Sequence, residues 1–246
     1  MPIIYLSPST QENNLYVSGG TEEEWMNRLA DAMVPYLTAA GIRYTRNTPE
    51  MTAASSIRAS NAGSYDLHLA LHSNAAPEGQ YGQGRGVLEF YYPGSAQGQR
   101  AANLVANGLK TIYPLPTLVR AESTTSIGEV RRVRAPSVFL ELGSPDNPDD
   151  AAGVKNNLDA IARSIVLSLP EYFGLPFREP QAPRPAVVDV SWGYLNIRDK
   201  PDTRSAVIAR AYDGARLTVL NQWQGWYVVR FDSVVGWASG DFITLL

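Results

Sequence analysis

Leu67, Leu69 and Leu71 alternate with His68, Ala70 and His72, a period of two that predicts a β-strand over residues 66–72 with both imidazoles on one face. Asp66 before the run and SNAAPEG (73–79) after it predict a short strand running into a loop. Around it, short apolar runs alternate with helical periods. IIYL (3–6) reads as a strand. Thr21 opens a helix in which Trp25, Leu29, Met33 and Leu37 recur at intervals of four, and Gly41 stops it. Strands are expected at GIRYTR (41–46), GVLEFYYP (86–93) and SVFLELG (137–143), and helices at 50–62, 95–112 and 148–169, the last ending near Pro170. Strands alternating with helices predict an α/β fold, a mainly parallel twisted sheet flanked by helices. In such sheets the reactive side chains gather at the carboxyl ends of the strands.

The pattern changes after LPFREPQAPRPA (175–186), which holds four prolines in twelve residues and reads as an extended linker. From Val187 to Leu246 only short strand-like runs occur, punctuated by Pro201-Asp202, Asp213-Gly214, Gln224-Gly225 and Gly240-Asp241. Closely spaced short strands without a long helix predict a small all-β barrel. The expected organisation is a domain over 1–174, a linker over 175–186 and a second domain over 187–246.

Composition narrows the chemistry. The 246 residues are 44% hydrophobic, ample for a core. A net charge of −3 with interspersed signs gives no footprint of a nucleic-acid or anionic-membrane partner. No apolar run approaches the ~20 residues of a membrane span, and MPIIYLSPST lacks the basic and apolar regions of a signal peptide. The absence of cysteine removes disulfides, thiolate catalysis and sulfur-ligated metal. The chain has only two histidines, both in the 66–72 strand. Four residues of strand span about 13 Å, too far for both rings to bind one metal. His72, at the strand's end, is the candidate ligand, and His68 is assigned a structural role. Glu141, between Leu140 and Leu142, needs either a partner such as Arg131, Arg132 or Arg134, or a task. Glu22, Glu23 and Glu24 open a helix, where Thr21 and Glu24 also fit a capping box.

SYDLHLALHSNA (64–75), APSVFLELGSPDN (135–147) and GGTEEEWMNRLADAMVPYLTAAGIRYTRN (19–47) resemble, in the same order, motifs of the zinc-dependent N-acetylmuramoyl-L-alanine amidases. That resemblance covers roughly residues 1–173 and implies a phosphorylase/hydrolase-like fold. It also implies hydrolysis of the peptidoglycan amide between the lactyl group of N-acetylmuramic acid and L-alanine. It makes His72 a zinc ligand, Glu22 a second (with Glu23 as the alternative) and Glu141 the catalytic glutamate. The family's first strand runs into a DPGHG turn whose histidine is a further ligand; here SPSTQENN follows the strand. Thr10 occupies the histidine's position without a gap and Gln11 with one inserted residue; Glu12 is a nearby candidate. Glutamine offers a carbonyl oxygen, a weaker zinc ligand than imidazole.

Residues 191–246 resemble bacterial Src-homology-3-like cell-wall modules over nearly their whole length. Tyr194 and Trp223 are the candidate wall-binding rings, whereas Trp226 and Trp237 are expected in the barrel core. Together the resemblances imply a monomeric peptidoglycan amidase working outside the cell or in its wall, held in the cytoplasm until release if no leader is present. Two other readings remain at this point: a non-catalytic wall-binding protein on an amidase scaffold, and a zinc carboxypeptidase.

Overall fold

The computed structural model describes residues 1–75, 79 and 81–246, so residues 76–78 of the expected SNAAPEG loop lie outside the described residues. The chain divides into two units. One comprises Ile3–Met33 and Tyr44–Tyr172; the other comprises Met1–Pro2, Val34–Arg43 and Phe173–Leu246.

The sheet of the larger unit contains β1 (Ile3–Pro8), β2 (Arg43–Arg46), β3 (Leu67–His72), β4 (Val87–Tyr91), β5 (Val119–Ser123) and β6 (Ser137–Leu142), in the order β2-β1-β3-β6-β4-β5. The pairs β1–β3, β3–β6 and β4–β5 are parallel, and β4 runs antiparallel to β6. All six residues of β3 are buried, as expected of a central strand covered on both faces. The register aligns Pro8 with Leu71 and His72 with Glu141, so β1, β3 and β6 end at a common level. Among the described residues no helix is long and apolar enough to cross a membrane.

The helices among the described residues are α1 (Glu22–Ala39), α2 (Ala53–Ala62), α3 (Ala96–Leu109), α4 (Gly128–Arg131), α5 (Pro148–Asn156) and α6 (Leu158–Phe173). At α1 only half of the expected capping box forms. Thr21 Oγ1 accepts from the Glu24 amide at 3.1 Å, while the Glu24 carboxylate turns to Arg28 one turn on, at 2.5 Å. The single helix expected over 148–169 is two, broken at Asn157, whose φ of −125° and ψ of 22° are not helical. Pro170 does not end α6. It lies buried inside the helix, whose packed face of Ile161, Ile165, Val166 and Leu169 outweighs one lost backbone hydrogen bond.

The C-terminal strands are β7 (Arg184–Val188), β8 (Tyr194–Arg198), β9 (Val207–Tyr212), β10 (Arg216–Trp223), β11 (Trp226–Phe231), β12 (Val234–Ser239) and β13 (Ile243–Leu245), in the order β13-β7-β10-β11-β12-β8-β9. Their pairings are antiparallel. Val188, Ile197, Val219, Val229 and Ile243 form the core. The last three residues of the expected linker, 184–186, belong to β7. Pro185 stands opposite Thr218, and its carbonyl accepts from the Leu246 amide at 2.9 Å.

Trp237 is fully buried, and Gly41, with φ of +69°, lies against its ring. A Cβ on Gly41 would stand 2.7 Å from Trp237 Nε1. Gly41→Ala therefore combines left-handed strain with overpacking. It is expected to cost roughly 2–4 kcal/mol in chemical denaturation, and a loss below ~0.5 kcal/mol would contradict this packing.

Candidate active site

The site sits where β1, β3 and β6 end. His72 closes β3 and stacks on Phe139 of β6, with ring centroids 4.1 Å apart. Glu141 lies beside His72 in register. Glu22, at the start of α1, is fully buried, which an acid tolerates only with partners. Asn14 Nδ2 donates to its Oε2 at 2.7 Å, and the Ser73 amide donates to Oε1 at 3.2 Å. Oε1 also lies 2.8 Å from His72 Nδ1. Glu23 is directed elsewhere, accepting from Asn27 Nδ2.

Of the candidates on the loop after β1, Gln11 is the side chain that reaches this pair. Its amide nitrogen is 3.3 Å from His72 Nδ1 and 3.4 Å from Glu22 Oε1. The turn is held by the Gln11 amide donating to Ser9 Oγ and by the Glu23 amide donating to the Gln11 carbonyl. Among the described residues, no three histidine, cysteine, aspartate or glutamate side chains are grouped to hold a metal ion; the third member of the convergent set is this glutamine.

The other ring nitrogen of His72 faces Glu129 of α4. Glu129 Oε2 lies 3.2 Å from His72 Nε2, and Oε1 lies 3.2 Å from His68 Nε2 and accepts from Ser7 Oγ at 2.5 Å. His68 Nδ1 is 2.9 Å from Ser60 Oγ of α2. His68 is thus structural, as its place inside the strand suggests, yet it shares a carboxylate with His72. The two rings need not approach each other, because Glu129 spans the gap.

Burial opposes charge throughout this layer, and local partners decide each outcome. Burial disfavours the charged form of Glu129, but hydrogen bonds from His68 and His72 hold it down at about 2. Burial likewise opposes an imidazolium at His72, yet Glu129 and Glu22 raise it to about 9. Glu141 has weaker compensation, from the charge of His72 alone. Burial pushes it up to about 7, against His72 and with Glu22, and its buried Oε2 has no hydrogen-bond partner among the described residues. The charges that act on it are thus His72 and Glu22, rather than the arginines considered as partners. A carboxyl group poised near neutrality can take and return a proton.

Glu129 was not legible in the sequence. Residues 113–136 carry no strong period, and one acid followed by Arg131 and Arg132 reads as surface charge. Only the packing of Val130 with Ala70 and Phe139 turns α4 so that Glu129 faces inward.

On the barrel, a cavity of about 580 Å³ is lined by Trp192, Tyr194, Trp226, Phe242 and Arg198. Tyr194 lies under the Arg210 guanidinium, 4.6 Å from its ring centroid. Trp223 does not line this cavity; it packs, partly buried, against Leu220, Val228 and Trp237.

Comparison with known proteins agrees with this architecture. The family profile for N-acetylmuramoyl-L-alanine amidase matches residues 9–170, and that for the bacterial SH3 domain matches residues 193–244. Comparison with curated proteins gives no match. Among solved structures, the chain resembles the N-acetylmuramoyl-L-alanine amidase AmiC2 of Nostoc punctiforme at 14% identity and a TM-score of 0.61, covering 70% of this chain and 97% of that one. An amidase of Clostridium difficile 630 gives 15% and 0.62 with the same coverage. The catalytic domain of the CD27L endolysin targeting Clostridia difficile gives 20% and 0.58, again over 70% and 97%. At these identities the structures speak for the fold, while the family profile spans most of the chain. The chain belongs to the N-acetylmuramoyl-L-alanine amidase family and is a peptidoglycan hydrolase of that class.

Proposed function

We propose that Gln11, Glu22 and His72 hold a zinc ion, that Glu141 is the general acid–base, and that the barrel retains the enzyme on peptidoglycan. The observation that carries the ligand set is convergence: Gln11, Glu22 Oε1 and His72 Nδ1 lie within 2.8–3.4 Å of one another. The donor set is one imidazole nitrogen, one carboxylate oxygen and, with the glutamine amide turned to present its oxygen, one carbonyl oxygen. Such a set suits zinc, with less affinity than a second imidazole would bring.

When bound, zinc supplies a Lewis acid that polarises the scissile carbonyl and eases deprotonation of water. The remaining work falls to the chain. Asn14 and the Ser73 amide fix the Glu22 carboxylate, and Phe139 and Glu129 fix the plane of His72. Glu141 accepts the proton of the attacking water and returns it to the L-alanine nitrogen as the amide breaks. The non-catalytic reading draws no support from this site, in which Glu141 keeps an oxygen unpartnered among the described residues.

We take residues 1–174 as the catalytic domain, with the linker shortened to 175–183 and the wall-binding barrel beginning at β7. Tyr194 is the stronger wall-binding ring, because it lines the aromatic cavity. The working form is a monomer acting at the cell wall. Metal analysis of protein purified without chelator is expected to give about one zinc per chain and His72→Ala close to none. A chain that releases L-alanine amino groups equally well after chelation and dialysis would refute the assignment.

A further inference from the structure

We propose that Glu129 is the positioning residue of the site, fixing His72 so that, with metal bound, Nε2 keeps its proton and Nδ1 gives its lone pair to the metal held with Gln11 and Glu22. The inference rests on the reading that those three residues hold the metal, and goes beyond it by assigning a role to a fourth.

Each ring nitrogen of His72 faces a carboxylate. An imidazole has two nitrogens, and here each faces a different environment. Nδ1 faces the convergent donors Gln11 and Glu22; Nε2 faces Glu129 Oε2 at 3.2 Å. A carboxylate only accepts, and Glu22 Oε1 stands 2.8 Å from Nδ1 as Glu129 Oε2 stands 3.2 Å from Nε2, so without metal each nitrogen has an acceptor for its hydrogen; a metal held by Glu22 and Nδ1 takes the place of the hydrogen there, and the one that stays is on Nε2, facing Glu129. The carboxylate is itself held. Its second oxygen accepts from Ser7 Oγ and faces His68 Nε2, and His68 is anchored at its other nitrogen by Ser60. Ser7 Oγ lies 2.7 Å from Ser56 Oγ, adding a tie to α2. Glu129 is only 4% exposed, so water does not compete for it. A carboxylate behind a ligating imidazole orients the ring and strengthens it as a donor. That contribution matters most where another donor is a neutral amide, as Gln11 is.

The role also accounts for the second histidine. His68 is the partner that keeps Glu129 in place, four residues down the same strand face, rather than an idle core residue.

The test uses the full chain and two readouts. Zinc affinity is measured by competition with a chromophoric chelator for the wild type and for Glu129→Gln, with circular dichroism as the check on folding. Glu129→Gln is expected to bind zinc about 10–100-fold more weakly. Long-range 1H–15N correlation spectra of the wild type, with and without zinc, are expected to show His72 Nε2 protonated and Nδ1 as the nitrogen whose shift moves on zinc addition. The spectra need no variant and decide the matter if Glu129→Gln fails to fold. Zinc bound through Nε2, or a folded Glu129→Gln that binds as tightly as the wild type, overturns the role of Glu129 while leaving the ligand set intact. A wild type that takes up no zinc overturns the ligand set, and the positioning role with it.

Discussion

Glu141→Gln is expected to lower kcat for release of L-alanine amino groups from purified peptidoglycan by about 10²–10⁴-fold, the usual contribution of a positioned general acid–base. The substitution keeps the size of the side chain and its place in β6, opposite His72 and Leu88. What it removes is the ability to accept and return a proton. Zinc content is expected to stay near that of the wild type, because Glu141 is outside the convergent set of Gln11, Glu22 and His72. Stability is expected to rise at pH 8. Burial lifts the Glu141 pKa to about 7, above its ordinary 4.5, so the folded chain loses stability as pH climbs between those values. A neutral amide escapes that loss. Lower turnover in a more stable protein separates loss of a proton carrier from simple damage to the fold. Turnover within twofold of the wild type would remove Glu141 from the mechanism.

The second large effect concerns a residue remote from the chemistry. Glu89 of β4 is fully buried, and among the described residues neither carboxylate oxygen has a hydrogen-bond partner. Burial raises its pKa to about 8, with Lys110 pulling weakly the other way. The unfolded chain releases this proton near the ordinary 4.5, while the folded chain keeps it up to about 8. Stability therefore falls as pH rises through that window and levels off above it. The integrated loss is roughly 3–5 kcal/mol. Glu89→Gln is expected to recover most of it at pH 9 and little at pH 4, measured by urea denaturation across the range. Equal stability of wild type and variant at pH 9 would show that Glu89 finds a partner or water in solution.

Much of the molecule was legible along the chain. The alternation of Leu67, Leu69 and Leu71 with His68 and His72 encodes a strand and a common face, because side chains in a strand point alternately whatever surrounds them. The spacing of Trp25, Leu29, Met33 and Leu37 encodes α1 for the same local reason. Errors fell where tertiary packing overrides a local signal. Pro170 reads as a stop but is carried through by the buried face of α6, and residues 184–186 read as linker until β10 and β13 pair with them.

The sequence by itself determined the α/β domain followed by a small β-barrel, the amidase motifs, and the short list of polar side chains able to do chemistry. Periodicity and composition act over a few residues, so a single chain records them directly. The tertiary structure alone decided which of those side chains meet. It set Gln11 beside Glu22 and His72, sent Glu23 away, left Glu141 Oε2 without a hydrogen-bond partner among the described residues, and brought Glu129 between two histidines 61 and 57 residues earlier. Such contacts depend on the register of β1, β3 and β6 and on how α4 packs across them. No local pattern encodes that information, because it exists only once the sheet has formed.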